Sequence, residues 1–81
     1  MKIYGYKING EKEYKLGEAS FLCSLEEMDK LIEFLKYAKA YFSNEDYIDE
    51  PGHVHYRDWD KKWQKGTSDF IIVYDVPVKS K

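Results

Sequence analysis

The residues best suited to chemistry lie in one short run, His53-Val54-His55-Tyr56-Arg57. Read as a strand, alternate side chains share a face, so His53, His55 and Arg57 line one side while Val54 and Tyr56 take the other. Two imidazoles about 7 Å apart along a strand can share one zinc ion if a third ligand reaches them from elsewhere. A carboxylate of the acidic stretch just before them is the natural candidate. Arg57 in the same row works against this, because a guanidinium disfavours a nearby divalent cation. The alternative is structural, with one histidine satisfied by hydrogen bonds and the other at the surface.

Nucleophilic catalysis would need Cys23 or a serine beside a histidine and an orienting acid. Cys23 closes an apolar strand face and reads as core packing, although a place just ahead of a helix could also suit a reactive thiol. No carboxylate pair has a spacing that implies acid–base work. Gly5, Gly10, Gly17, Gly52 and Gly66 are scattered turn or strand glycines and build no phosphate loop. A chain of 81 residues also has little volume for an enclosed pocket. The sequence points away from an enzyme and calls for no cofactor.

A binding edge is the stronger reading. Glu45, Asp46, Asp49 and Glu50 lie in one loop, with Asp58 and Asp60 following the histidine segment, and Tyr47, Trp59 and Trp63 are interleaved among them. Acidic groups around aromatic anchors suit capture of a basic protein surface: charge steers the encounter and the rings supply the hot-spot energy. An ordinary solvated loop would carry the same charges, but small polar residues rather than rings would then separate them.

The elements that position these groups follow from pattern. Residues 2–8 are rich in Tyr and Ile, and Asn9-Gly10 follows as a hairpin signal because both residues tolerate positive φ. A second strand is expected over residues 13–23, with Gly17, Ala19, Phe21 and Cys23 on one face and Gly17 marking a bulge or bend. Ser24-Leu25-Glu26-Glu27 fits a capping box and opens a helix expected from Leu25 to Phe42. Leu25, Met28, Ile32, Leu35, Ala38 and Phe42 form its core stripe, with Leu31 alongside. Phe34, Tyr37 and Tyr41 make a flanking row that either widens the core contact or lies at a surface edge; the thin core of so small a domain favours the first. A third strand is expected over residues 53–59, and the charged connection over residues 60–66 could form a short helical turn, which would place Trp59 and Trp63 on one face. The apolar run Phe-Ile-Ile-Val-Tyr within residues 69–76 suits a central strand covered on both sides. The expectation is one α+β domain over residues 1–81: a four-stranded, largely antiparallel sheet with one long helix on one face, in ββαββ order.

Composition sets the outer limits. Fifteen acidic against thirteen basic residues give a net charge of −2, unlike a nucleic-acid-binding domain, which is normally clearly basic. One cysteine permits no intramolecular disulfide and fits a reducing cytoplasm. The polar start Met-Lys-Ile-Tyr-Gly-Tyr-Lys has no signal-peptide apolar segment, and no run is long enough to span a membrane. Fourteen aromatic residues, eight of them Tyr, supply large side chains both for a small core and for an interface. One helix covers only part of a four-stranded sheet, so a homodimer burying the opposite sheet face is a further expectation.

Three pieces in order carry a resemblance. Leu16-Gly-Glu-Ala-Ser-Phe21 leads into the capped helix Ser24-Leu-Glu-Glu-Met-Asp-Lys-Leu-Ile-Glu-Phe-Leu35. Next comes Gly52-His-Val-His55 with Asp58, and then the closing Ser68-Asp-Phe-Ile-Ile-Val73. So arranged, the chain resembles small bacterial immunity proteins, the antidotes of polymorphic and contact-dependent toxin systems. The resemblance implies an α+β fold and neutralisation of a cognate toxin by binding, without catalysis. It assigns no binding residue.

Overall fold

The computed structural model describes residues 1–44 and 52–76. The elements run β1 (Ile3–Gly5), β2 (Tyr14–Leu16), α1 (Leu25–Ser43), β3 (His53–His55), α2 (Tyr56–Trp59) and β4 (Ile71–Val73). The class is α+β with one long helix, as expected. The sheet is not: among the described residues the strands form two separate antiparallel pairs, β1–β2 and β3–β4, rather than one four-stranded sheet.

The helix begins where its local chemistry dictates. The Ser24 hydroxyl accepts from the Glu27 amide at 3.1 Å, and the Glu27 carboxylate accepts from the Ser24 amide at 2.9 Å. Two otherwise orphaned N–H groups are thereby satisfied. The Ser24 backbone bond, followed by the Ser24 hydroxyl, holds the Glu27 carboxyl below its ordinary pKa. Helical backbone continues to Ser43, one residue beyond the expected Phe42.

α1 buries only part of the expected stripe, Ala38 and Phe42 with Leu31 alongside, and turns it towards Phe34. Phe34 is fully enclosed and Ala38 nearly so, with Leu31 and Phe42 half-buried beside them, whereas Leu25 is 79% and Ile32 51% exposed. Met28 and Leu35 are exposed as well. Ring packing decides the orientation. Phe34 meets Tyr56 edge-on at 5.4 Å, Trp59 at 5.6 Å and Phe70 at 6.0 Å between centroids. These separations fall in the range where aromatic pairs attract beyond their area burial. The row expected to flank the stripe thus supplies the centre of the core through Phe34, while Tyr37 and Tyr41 stay at an exposed edge.

The strands are shorter than expected, each for a local reason. The chain bends at Gly17 and leaves the ladder, so β2 stops at Leu16 and Leu22 lies fully in solvent. The Asn-Gly signal forms a turn from Lys7 to Gly10, closed by the Gly10 N–H to the Lys7 carbonyl at 2.8 Å; Asn9 alone takes positive φ, at 59°. The Tyr56 amide still makes a ladder bond to the Phe70 carbonyl, but the Arg57 amide donates to the Asp69 side chain and residues 56–59 wind into one helical turn, so β3 ends at His55. Arg57 is thus helical rather than part of the strand, although its Nε stays 4.0 Å from Asp69 Oδ2, the oxygen that meets His55. β4 is covered on one side only: Ile72 faces inward while Ile71 and Val73 are exposed, so it is not the doubly covered central strand expected. The link after α2 is a pair of turns rather than a helical segment, with Gly66 at φ 99° where a side chain would be strained.

Candidate functional site

The site is built where α1, β3 and α2 meet. α1 presents Tyr37 and Tyr41 one turn apart, β3 presents His53 and His55 on one side, and α2 adds Asp58 and Trp59. Together with Val54 these residues line a cleft of about 280 Å³. The rings run as a row, with Tyr41 at 6.2 Å and Trp59 at 6.4 Å from Tyr37. Trp59 is the anchored member: it is half-buried, with Phe34 and Tyr56 packed against it.

The histidines stay adjacent, their ring centroids 5.0 Å apart. His55 Nδ1 lies 2.5 Å from Asp69 Oδ2, and Asp69 Oδ1 accepts from the amides of Arg57 and Phe70 at 2.9 Å each. Burial alone would push the Asp69 carboxyl upward. The His55 hydrogen bond and then the Arg57 amide outweigh it, holding the group below its ordinary pKa. Asp69 thus fixes the His55 ring and caps α2 from fourteen residues downstream of His55. His53 remains exposed. A carboxylate behind a histidine is the arrangement that orients a metal-ligating imidazole. Among the described residues, however, no group of three His, Cys, Asp or Glu side chains is placed to hold a metal ion.

The remaining candidates separate by role. Glu45, Asp46, Tyr47, Asp49 and Glu50 lie outside the described residues. Asp58 is well exposed, with Arg57 Nε 3.7 Å away. Asp60 turns inward: it accepts from the Lys62 amide at 3.0 Å and pairs with Lys30 of α1 at 3.5 Å. The Lys62 amide chiefly holds its carboxyl low, against the opposing effect of burial. The Tyr56 hydroxyl beside it is raised, first by burial and then by the Asp60 charge. Trp63 donates its Nε1–H to the Ser68 carbonyl at 3.1 Å and latches the turns before β4. Asp60 and Trp63 therefore tie elements together, and the cleft replaces them with Tyr37, Tyr41, His53 and His55. Helical spacing of Tyr37 and Tyr41 was the signal for two of these; the strand alternation of His53 and His55 was the signal for the others. Cys23 is half-buried, its Sγ 3.7 Å from the Phe21 carbonyl.

No protein-family model, curated protein or solved structure matches the chain. No helix among the described residues is long and apolar enough to cross a membrane.

Proposed function

We propose that the chain is a non-catalytic protein-binding module, acting as an immunity protein that neutralises a cognate bacterial toxin. The observation that carries the reading is the cleft itself, an open row of three aromatic rings lined also by Asp58 and two imidazoles. Trp59 is held by the core before any partner arrives, so little side-chain freedom is lost on docking. Aromatic side chains seated this way are what protein interfaces use as anchors. Of the residues that carry the resemblance, His53, Val54, His55 and Asp58 line this same cleft.

Co-expression with the protein encoded beside it is the direct test. Rescue of growth and a complex that survives gel filtration are expected. Tyr41→Ala and Asp58→Lys, both at exposed positions, should each weaken that complex about tenfold or more. A complex untouched by the double variant would move the interface elsewhere, and neither rescue nor complex with the wild-type chain would end the immunity reading.

A further inference from the structure

The cleft between α1, β3 and α2 carries a pattern of charge and rings that narrows what can enter it. Among the described residues lining it there is no Lys or Arg, and the one carboxylate is that of Asp58. The Asp58 side chain is 72% exposed, so its oxygens are open to a partner. The nearest cation, Arg57, lies outside the lining. Its Nε stands 3.7 Å from Asp58 and 4.0 Å from Asp69, too far from either for a good hydrogen bond. One guanidinium shared between two carboxylates leaves their surroundings net negative. An anion would meet no counter-charge in the lining, whereas a cation would.

The rings decide which cation. Trp59 is tilted from Tyr37 by 33° and Tyr41 by 37°, with centroids 6.4 and 6.2 Å away. Rings at such shallow angles pave a surface rather than box in a sphere. A quaternary ammonium group is held by a cage of rings around it. A planar guanidinium stacks on one face instead and keeps its edge N–H donors for a carboxylate. His55 adds an acceptor. Its Nδ1 is committed to Asp69, so the neutral ring donates there and keeps a lone pair on Nε2. A volume of about 280 Å³ falls just below the roughly 300–1,000 Å³ of small-molecule pockets and suits one long side chain.

From this lining we infer that the cleft is a docking site for an arginine side chain of the partner, its guanidinium stacked on the Tyr37–Tyr41–Trp59 row and paired with Asp58. The inference rests on the reading of this cleft as a protein-binding face, and it names the chemical group that face takes.

NMR titration of the isotope-labelled chain with acetyl-arginine amide tests it, at about pH 8 so that the imidazoles are neutral. Acetyl-lysine amide and acetyl-citrulline amide, the latter a neutral isostere of arginine, are the comparison probes. Saturable shifts of the Trp59 indole N–H are expected with arginine at roughly millimolar affinity. Binding of the lysine probe should be about fivefold weaker, and the citrulline probe should give no saturable shift. Trp63→Phe removes the other indole N–H and so assigns the signal. Asp58→Asn and Tyr41→Leu, both at exposed positions, should each weaken arginine binding about fivefold or more, with the signals of Phe34 and Ile72 unmoved. No saturable shift with arginine, equal shifts with citrulline, or indifference to Asp58→Asn overturns the inference. Lysine bound as tightly as arginine overturns the choice of a planar cation. A complex with the neighbouring protein in the absence of arginine binding strikes this inference alone, whereas arginine binding without any complex supports it and strikes the immunity reading alone.

Discussion

Replacing Phe34 with alanine should come close to unfolding the protein. Phe34 is fully buried, and Tyr56, Trp59 and Phe70 surround its ring at 5.4–6.0 Å. Truncation of a phenylalanine in such a position costs about 3–5 kcal/mol, because the transfer energy is lost and neighbouring rings cannot fully close the space. A domain of this length has a total stability of roughly 4–12 kcal/mol. A loss near 4 kcal/mol, with a urea slope of about 1–1.5 kcal/mol/M, moves the midpoint by roughly 3–4 M. The comparison that makes the experiment decisive is with the exposed stripe. Leu25→Ala should cost no more than about 0.5 kcal/mol and Ile32→Ala no more than about 1 kcal/mol, since half of that side chain is already in water. Urea melts followed by tryptophan fluorescence read all three variants, because Trp59 packs on Phe34. If Ile32→Ala or Leu25→Ala proved as damaging as Phe34→Ala, the helix would face its core the other way and Phe34 would not be its centre.

Other substitutions test the ties between elements. Ser24→Ala removes the acceptor for the Glu27 amide and should lower stability by about 1 kcal/mol, read from thermal melts. Asp69→Asn should cost about 1–2 kcal/mol at neutral pH, since the charged acceptor for the Arg57 and Phe70 amides is lost. The pH dependence has a definite sign. The folded-state pKa of Asp69 is lowered, so its contribution is complete above the unfolded carboxylate value near 4 and disappears as pH falls through the lower folded value. Denaturation midpoints measured across the acid range should therefore show a shallower decline for Asp69→Asn than for the wild type, and parallel curves would refute the assignment. Trp63→Phe keeps the ring but deletes the donor to the Ser68 carbonyl, with an expected loss of about 0.5–1 kcal/mol in the same urea melts.

What could be read from the sequence was set by distance along the chain. The start of α1 depends on Ser24 and Glu27, three residues apart, and both the capping box and the helix end agree with the pattern to within one residue. The bend at Gly17 was likewise local. Helix facing was harder, because apolar residues surround much of α1 and periodicity alone does not decide whether Leu25, Met28, Ile32 and Leu35 or Phe34 joins Ala38 in the core. Three aromatic rings supplied from residues 56, 59 and 70 settle it. The end of β3 shows the same difficulty. His53 to Arg57 alternates as a strand should, but the Asp69 side chain captures the Arg57 amide just where residues 56–59 turn into a helix. The cleft was legible in fragments, as a histidine pair, an aromatic row and Asp58 with Trp59. Their convergence was not, since it depends on how α1 crosses β3.

The T-shaped contact of Phe21 with Phe70, 5.2 Å between centroids, joins the chain ahead of the helix to the unit built around Phe34. The β1–β2 pair itself belongs to a separate sheet. Such an arrangement divides cooperativity unequally. Amides of Ile3–Gly5 and Tyr14–Leu16 should exchange with deuterium through a low-energy opening that leaves α1 protected, while those around Phe34 and Ile72 should exchange only through global unfolding. Phe21→Ala should speed exchange across the first hairpin and scarcely alter the second unit. The N-terminal ribbon can then be released and recaptured many times within the lifetime of one folded molecule.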